Sequence, residues 1–473
     1  MIIGGKVIEA SEKVVVRNPY DNSIVGEVSR AFEADVEKAV ESAKIGFIKL
    51  SQHSAYDRYR TLIRLADILA RQQEQFARTI ASEMGKTIRE ARTEVSRAIE
   101  TVTWSAEEAK RLYGSTVPMD AAPTGQGKIG FFMRVPVGIV GAISPFNFPL
   151  NLSLHKIAPA YAAGNAFILK PAEATSITGE MLGKAFIEAG AVPEAVNILT
   201  GSGSKIGFKL VTHPDIRVIT FTGSRDVGEW ITKNAGLKKV VMELGSNSAV
   251  VVCEDADPRG MVKRIALGGY SQAGQVCISV QRVYVHERLF DTFVELLKEQ
   301  ASALRVGNQL DESTDVGPLI TNKDVLRIKS WIDEAVSNGA RLVYGGDITG
   351  NVMTPAVLIH AKETDKVIKD ELFGPVIVVN KFKTDDEAIE LVNHSRYGLQ
   401  AGVYTNDVNR AWKYAKSLDV GGVLINEIPN FRVDLMPYGG VKESGIGREG
   451  PRFAIEEVTE IKLVVFHVNP LKT

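Results

Sequence analysis

Three side chains stand where packing alone explains them poorly. Cys277 follows Gly274-Gln275-Val276 and precedes a strand-like run, so its thiol sits at a Gly/Gln turn that can face a cleft. Nucleophilic catalysis needs such an exposed, activatable thiolate. The other cysteine, Cys253, lies inside SAVVVC and reads as a small buried hydrophobe. Glu243 ends the apolar run VVMELGS, where a carboxylate is costly unless it is ion-paired or part of a site. Asn147 stands between two prolines in Pro145-Phe-Asn-Phe-Pro149, whose fixed dihedrals stiffen the loop and aim one amide. Such an amide serves either a structural turn or a developing oxyanion.

Two glycine turns point toward a phosphate-bearing ligand. VNILT leads into Gly201-Ser-Gly203-Ser-Lys-Ile-Gly207, and VITFT leads into Gly223-Ser-Arg-Asp-Val-Gly228. Glycine after a strand lets backbone approach a pyrophosphate, and the following helix N-terminus favours an anion. Neither turn is a strict GxGxxG, so each also fits an ordinary strand-to-helix connection.

The elements that must carry these residues are legible in the apolar periodicity. Leu62, Leu65, Ala66, Leu69, Phe76 and Ile80 recur at helical spacing and predict one amphipathic helix over 59–80, with Gly85 as a stop. Residues 114–135 break that pattern with turn formers between two strand-like pieces and predict a long hairpin. From 136 to 253, apolar β runs alternate with helical segments, which implies a parallel sheet covered on both faces. The alternation restarts after 257 and continues to about 432. The expected fold is therefore α/β, with two Rossmann-like parallel-sheet lobes that meet near Gly245. One lobe takes 1–113 and 136–244; the other takes 245–432. The tail IKLVVFHVN is an apolar strand whose edge needs a partner, such as another subunit. With 114–135 it gives a small β element for oligomerisation at 114–135 and 455–473.

The chain of 473 residues is too long for one core, and its 56 basic and 57 acidic residues give no sequence-wide field to steer it to nucleic acid or membrane. The N-terminus carries no secretory pattern, and no run of apolar residues is long enough to span a bilayer. Two cysteines make no disulfide framework, so the expected address is a reducing cytoplasm. HExxH, paired CxxC and clustered histidines are all missing, so no metal site is expected.

The motifs together resemble the aldehyde dehydrogenase superfamily over nearly the whole chain. In order they are PFNFP (145–149), KPAE (170–173), FTGS (221–224), MELG (242–245), GQVC (274–277), ELFGP (371–375) and PYGGVKESGIGRE (437–449), with 34 positions from Glu243 to Cys277. The resemblance implies a nucleophile at Cys277, an oxyanion held by Asn147 and the Cys277 N–H, and a general base at Glu243. It also implies that Lys170 and Glu173 hold the adenosine ribose, Gly223 and Ser224 the pyrophosphate, and Glu371 with Phe373 the nicotinamide end. Glu173 suits two ribose hydroxyls and repels a 2′-phosphate, so NAD is expected over NADP. A homodimer or homotetramer is expected. Family members usually read ELGGK where this chain has Glu243-Leu-Gly-Ser246-Asn247, and similar ELGSN versions look like a branch acting on lactaldehyde or glyceraldehyde.

By the same resemblance, His155, eight residues beyond Asn147, faces the aldehyde channel, and Arg432 and Asn430 line its mouth. His155 equally suits a structural role, and Arg432 either clamps a carboxylate or phosphate or pairs with Asp434. A His, an Arg and an Asn favour a small polar or anionic aldehyde. Two other enzymes fit less well. A CoA-acylating relative has no use for the base Glu243, and a cysteine hydrolase needs a partner histidine that no motif supplies. An inactive relative has no reason to retain Asn147, Glu243, Cys277 and Glu371 together.

Overall fold

Strands with every residue buried organise the molecule. The computed structural model describes residues 1–468. Val218–Thr222 pairs in parallel with Ile139–Ile143 on one side and Lys239–Glu243 on the other. Ala166–Lys170 and Val196–Ile198 extend the sheet beyond Ile139–Ile143, also in parallel. The chain thus runs outward through 139–143, 166–170 and 196–198, then jumps back to 218–222 on the opposite side. That reversal is a topological switch point, where the loops at the carboxyl ends of the two central strands part and leave a crevice. The loops that part here begin at Ser144 and Gly223.

A second sheet is built on Ala249–Val252, flanked in parallel by Arg282–His286 and Gln400–Tyr404. Its only antiparallel member is the edge strand Arg341–Tyr344. Each sheet has its own apolar core, so the chain is a two-lobed α/β protein. A separate three-stranded antiparallel sheet joins Ser115–Val117, Lys128–Pro136 and Thr459–His467.

Four expectations need correction. The helix expected over 59–80 is two helices, Ala55–Arg71 and Gln73–Met84, because Gln72 leaves helical geometry at ψ 13°. The periodicity carried across the break because both helices bury the same side. The first sheet also takes back Gly445–Ile446, far outside 1–244, as an antiparallel edge on Lys239–Glu243. The β element was expected to include 455 onward, but Pro451–Glu457 is helix and the strand starts at Thr459. Its ladder partner is Lys128–Pro136 of the same chain, which leaves only its far edge open. Residues 469–473 of that expected element lie outside the described residues.

One helix ties this scaffold to the loop that carries Asn147. Asn151–Ala163 is buried at every position, and no side chain of its own caps its first turn. The cap comes from Glu94 on helix Ile88–Ala109, whose Oε1 accepts from the backbone N–H groups of Leu150 (2.9 Å) and Asn151 (3.1 Å). A carboxylate there also complements the positive end of the helix dipole. Its Oε2 accepts from Lys86 Nζ at 2.6 Å, and both partners are fully buried. Removing one member of a buried pair strands the other charge, at a cost of about 3–5 kcal/mol. Glu94→Ala is therefore expected to lose about that much in denaturant titration. The double variant Lys86→Met/Glu94→Leu is expected to recover most of it. A single-variant loss within about 0.5 kcal/mol, the scale of a surface change, would sink this account of the cap.

Candidate active site

Five loops at the carboxyl ends of the first sheet face residues from the second lobe across a cavity of about 780 Å³. Its walls include Asn147, Glu243, Cys277, Lys170, Glu173 and Glu371, together with Gly223, Ser224 and Phe373. Sequence reasoning therefore placed nine of its twelve candidates on one surface. The other three, His155, Arg432 and Asn430, do not line it.

Cys277 is presented by a strained loop. Gln272, Ala273 and Gly274 adopt consecutive left-handed conformations with φ of 52°, 54° and 71°. The first two have no glycine's freedom, and such conformations persist only where the surroundings impose them. Glu90 does so by accepting from the Gln272 N–H at 2.8 Å, and the Gln275 side chain accepts from Ile320 N–H at 3.0 Å. Gly274 must be glycine for a second reason: a Cβ there would stand 2.0 Å from the Gly374 carbonyl oxygen. The Cys277 loop and the ELFGP loop are in backbone contact at that point.

Asn147 is 4% exposed and donates from Nδ2 to the Gln275 carbonyl at 3.0 Å. That bond uses one amide hydrogen and leaves the second for a ligand. The Cys277 backbone N–H donates to nothing among the described residues. The sulfur lies 3.0 Å from the Tyr438 hydroxyl, a partner that sequence reasoning missed. Burial pushes the thiol up to about 12; Tyr438 and Arg432 pull it down, while Glu371 and Glu243 push it further up.

Glu243 is 3% exposed, and neither carboxylate oxygen has a hydrogen-bond partner among the described residues. Burial, then the neighbouring Glu449, raises it well above the usual carboxylate range. Arg432, Lys156 and Arg448 oppose that rise. Glu449 goes the other way. Although it too is buried, Lys156 (2.9 Å) and Arg432 (3.1 Å) hold it down at about 2. Of two adjacent acids, the one with ion-pair partners holds its charge the more strongly and the other is the weaker acid.

The cofactor residues are placed consistently. Lys170 donates from Nζ to the Pro171 carbonyl at 2.8 Å, and burial lowers it to about 8. Glu173 accepts from Arg30 at 3.1 Å, so the expected repulsion of a 2′-phosphate is softened by a cation that sequence reasoning overlooked. Glu371 accepts from the Ser246 N–H at 3.0 Å, and burial raises it to about 7. A Cβ on Gly245 would stand 2.3 Å from the Glu371 carboxylate, so that glycine is what lets the carboxylate close on the Glu243 loop. Phe373 holds φ at 52° and packs edge-on to Phe146 at 6.0 Å. A strained aromatic, two carboxylates and a glycine turn along one cleft fit a nicotinamide dinucleotide.

The three substrate candidates are corrected as follows. His155 is 1% exposed within a wholly buried helix, with Nε2 at 2.8 Å from Asp434. It braces the interior behind the channel instead of lining it. Asp434 also receives two bonds from Arg97 (2.8 and 3.0 Å) and one from Asn151 (3.0 Å). With its oxygens so occupied, Asp434 does not close on Arg432, whose nearest approach is 3.9 Å. Arg432 turns to Glu449 instead and stacks 3.8 Å from the Tyr438 ring centre, with its Nε lacking any partner among the described residues. Asn430 is half-buried, its amide 3.4 Å from the Gly268 carbonyl. Among the described residues no helix is long and apolar enough to cross a membrane, and no group of acidic, histidine or cysteine residues is placed to hold a metal.

Known proteins share this arrangement. The chain is 46% identical over 468 residues to a 3-sulfolactaldehyde dehydrogenase of Priestia aryabhattai, covering 99% of this chain and 98% of that one. It is 40% identical to a lactaldehyde dehydrogenase of Methanococcus vannielii over 99% of this chain and 100% of that one. The crystal structure of a glyceraldehyde-3-phosphate dehydrogenase from Methanocaldococcus jannaschii, complexed with NADP, superposes with a TM-score of 0.92 at 36% identity, covering 97% and 100% of the two chains. The aldehyde dehydrogenase family model matches residues 7–464. Together with a cleft that suits NAD or NADP, these matches make the chain an NAD(P)-dependent oxidoreductase that belongs to the aldehyde dehydrogenase family.

Proposed function

We propose that the protein oxidises a small aldehyde bearing a hydroxyl or anionic group to its carboxylic acid. The observation that carries the substrate class is Arg432, a cation behind the cavity wall whose Nη2 pairs with Glu449 but whose Nε–H has no partner among the described residues. It neighbours both Tyr438, which touches the nucleophile, and Glu243. A cation in so dry a place attracts an anion far more strongly than one in water. The names of the relatives, which act on sulfonated, hydroxylated and phosphorylated aldehydes, support the same class.

Cys277 sulfur adds to the aldehyde carbon, giving a thiohemiacetal. Its oxyanion is held by the free Asn147 amide hydrogen and the Cys277 N–H, donors that need no reorganisation at the moment of charging. Lys170, Glu173, Glu371 and Phe373 would hold the dinucleotide, which supplies a hydride acceptor. The resulting thioester is released by water. Ionised Glu243, made more basic by its burial and free of hydrogen bonds among the described residues, takes a proton from that water. The strand Thr459–His467, with Ile461 and Leu463 more than half exposed, would complete a homodimer or homotetramer.

Four outcomes test this reading. Glu243→Gln is expected to keep one rapid turnover of reduced cofactor per subunit while steady-state turnover falls about 10²–10⁴-fold, the usual contribution of a general base. In the unaltered enzyme, turnover is expected to fall as pH drops below the elevated Glu243 value, because only the ionised form accepts a proton. A lost burst in the Gln variant would remove Glu243 from the release step. Arg432→Ala is expected to raise KM for sulfolactaldehyde, lactaldehyde and glyceraldehyde 3-phosphate about tenfold or more relative to propanal, the scale of a lost charge-assisted hydrogen bond. The ratio cancels damage common to all substrates, and best turnover on hexanal by the unaltered enzyme would reject the polar class. Paired Ile461→Lys and Leu463→Lys changes are expected to reduce the native mass in light scattering. An unchanged assembly would place the subunit contact elsewhere.

A further inference from the structure

The Tyr438 hydroxyl is an unusual group to find against a nucleophilic sulfur. The ring is 3% exposed, and among the described residues the hydroxyl has one polar neighbour, Cys277 Sγ at 3.0 Å. A buried hydroxyl is rarely left unbonded, so the pair must satisfy each other in every protonation state. With a thiol, either atom donates. With a thiolate, only the phenol can donate, and it must still hold its proton.

Its surroundings keep that proton in place. Burial, with Cys277 and Glu243 nearby, raises the phenol well above its ordinary value, while Arg432 opposes the rise. Arg432 also lies with its guanidinium 3.8 Å from the centre of the Tyr438 ring. A cation over the ring face is attracted to the ring electrons, and by drawing them it makes the phenolic hydrogen a stronger donor. The charged groups that face the sulfur are Glu371 and Glu243, which disfavour a thiolate, and Arg432, which favours it. Among the described residues the phenol is thus the one hydroxyl touching the sulfur, whose charged neighbours are two carboxylates and one cation.

We infer that Tyr438, polarised by the stacked Arg432, donates a hydrogen bond that stabilises the Cys277 thiolate and so sets how much of the nucleophile is reactive. The inference rests on Cys277 being the nucleophile. The magnitude is set by two opposing effects. A hydrogen bond to a charged group changes the thiolate fraction about tenfold. Intrinsic nucleophilicity falls as a thiolate is stabilised, by about 3-fold for the same change. The net advantage at neutral pH is therefore about 3-fold. Once sulfur has bonded to carbon it loses its negative charge, and the hydrogen bond weakens without obstructing later steps.

The test is the alkylation rate of Cys277 by iodoacetamide in the cofactor-free enzyme, followed by mass spectrometry on the peptide that contains it. That readout excludes the buried Cys253. Tyr438→Phe keeps the ring and removes the hydroxyl, and is expected to slow alkylation at neutral pH about 3-fold. 3-Fluorotyrosine at position 438, whose phenol is a stronger donor in nearly the same volume, is expected to speed it. Circular dichroism melts establish that each variant is folded. Equal rates for Phe, Tyr and fluorotyrosine, or a slowing by both substitutions, would overturn the inference. A separate failure is visible in Cys277→Ser: undiminished oxidation there would remove the nucleophile itself, whatever the alkylation series shows.

Discussion

Burying Glu243 with no hydrogen bond to either oxygen is the costly act on which the rest of the site depends. A carboxylate in that position is made a weaker acid by its burial, and its charged neighbours act on it in both directions. Glu449 pushes it toward the neutral form, and Arg432, Lys156 and Arg448 push it back. The balance is possible only because Glu449 is itself pinned in the charged state by two cations in direct contact. Those cations come from different parts of the chain, Lys156 from helix Asn151–Ala163 and Arg432 from the segment before the last motif. The scaffold is therefore organised around one buried weak acid whose oxygens are left without hydrogen bonds among the described residues.

Charge alone does not bring the reacting groups together; close backbone approach does. Gly274 meets the Gly374 carbonyl, Gly245 admits the Glu371 carboxylate, and a Cβ on Gly439 would stand 2.8 Å from Glu243 Oε1. At each point two motifs that lie far apart in sequence touch because one of them has no side chain. The first lobe supplies Glu243 and Asn147, the second lobe supplies Cys277, Glu371 and Phe373, and these contacts fix the distance between them.

Much of this could be read from the sequence, for definable reasons. Strands such as Val218–Thr222 are buried on both faces and announce themselves as unbroken apolar runs. Cys277, Glu243 and Asn147 stood out because each was out of keeping with its neighbours. The break at Gln72 was invisible because the helices on either side keep a shared apolar face and neither glycine nor proline marks the join. Of the two roles open to His155, the structural one holds; the resemblance that put it at the channel says nothing of how many layers lie between its helix and the cavity. Tyr438 and Arg30 were missed because their roles are pairwise. Nothing local distinguishes a tyrosine that touches a sulfur, or an arginine that neutralises a carboxylate more than a hundred residues away in the chain.

The Ser246-Asn247 departure shows how the structure changes the meaning of a sequence difference. Read as a string, asparagine in place of lysine removes a charge near the cofactor. In the fold Asn247 is 1% exposed and acts as a clamp. Its amide donates to the Ile368 carbonyl at 2.7 Å, its side-chain oxygen accepts from Ser395, and its backbone carbonyl accepts from Arg282. Residues 366–369 immediately precede Glu371, whose carboxylate takes the Ser246 N–H. A lysine at 247 has no side-chain acceptor and could not take the Ser395 hydroxyl. In this chain Asn247 and Ser246 therefore tie the loop that follows Glu243 to the segment that carries Glu371.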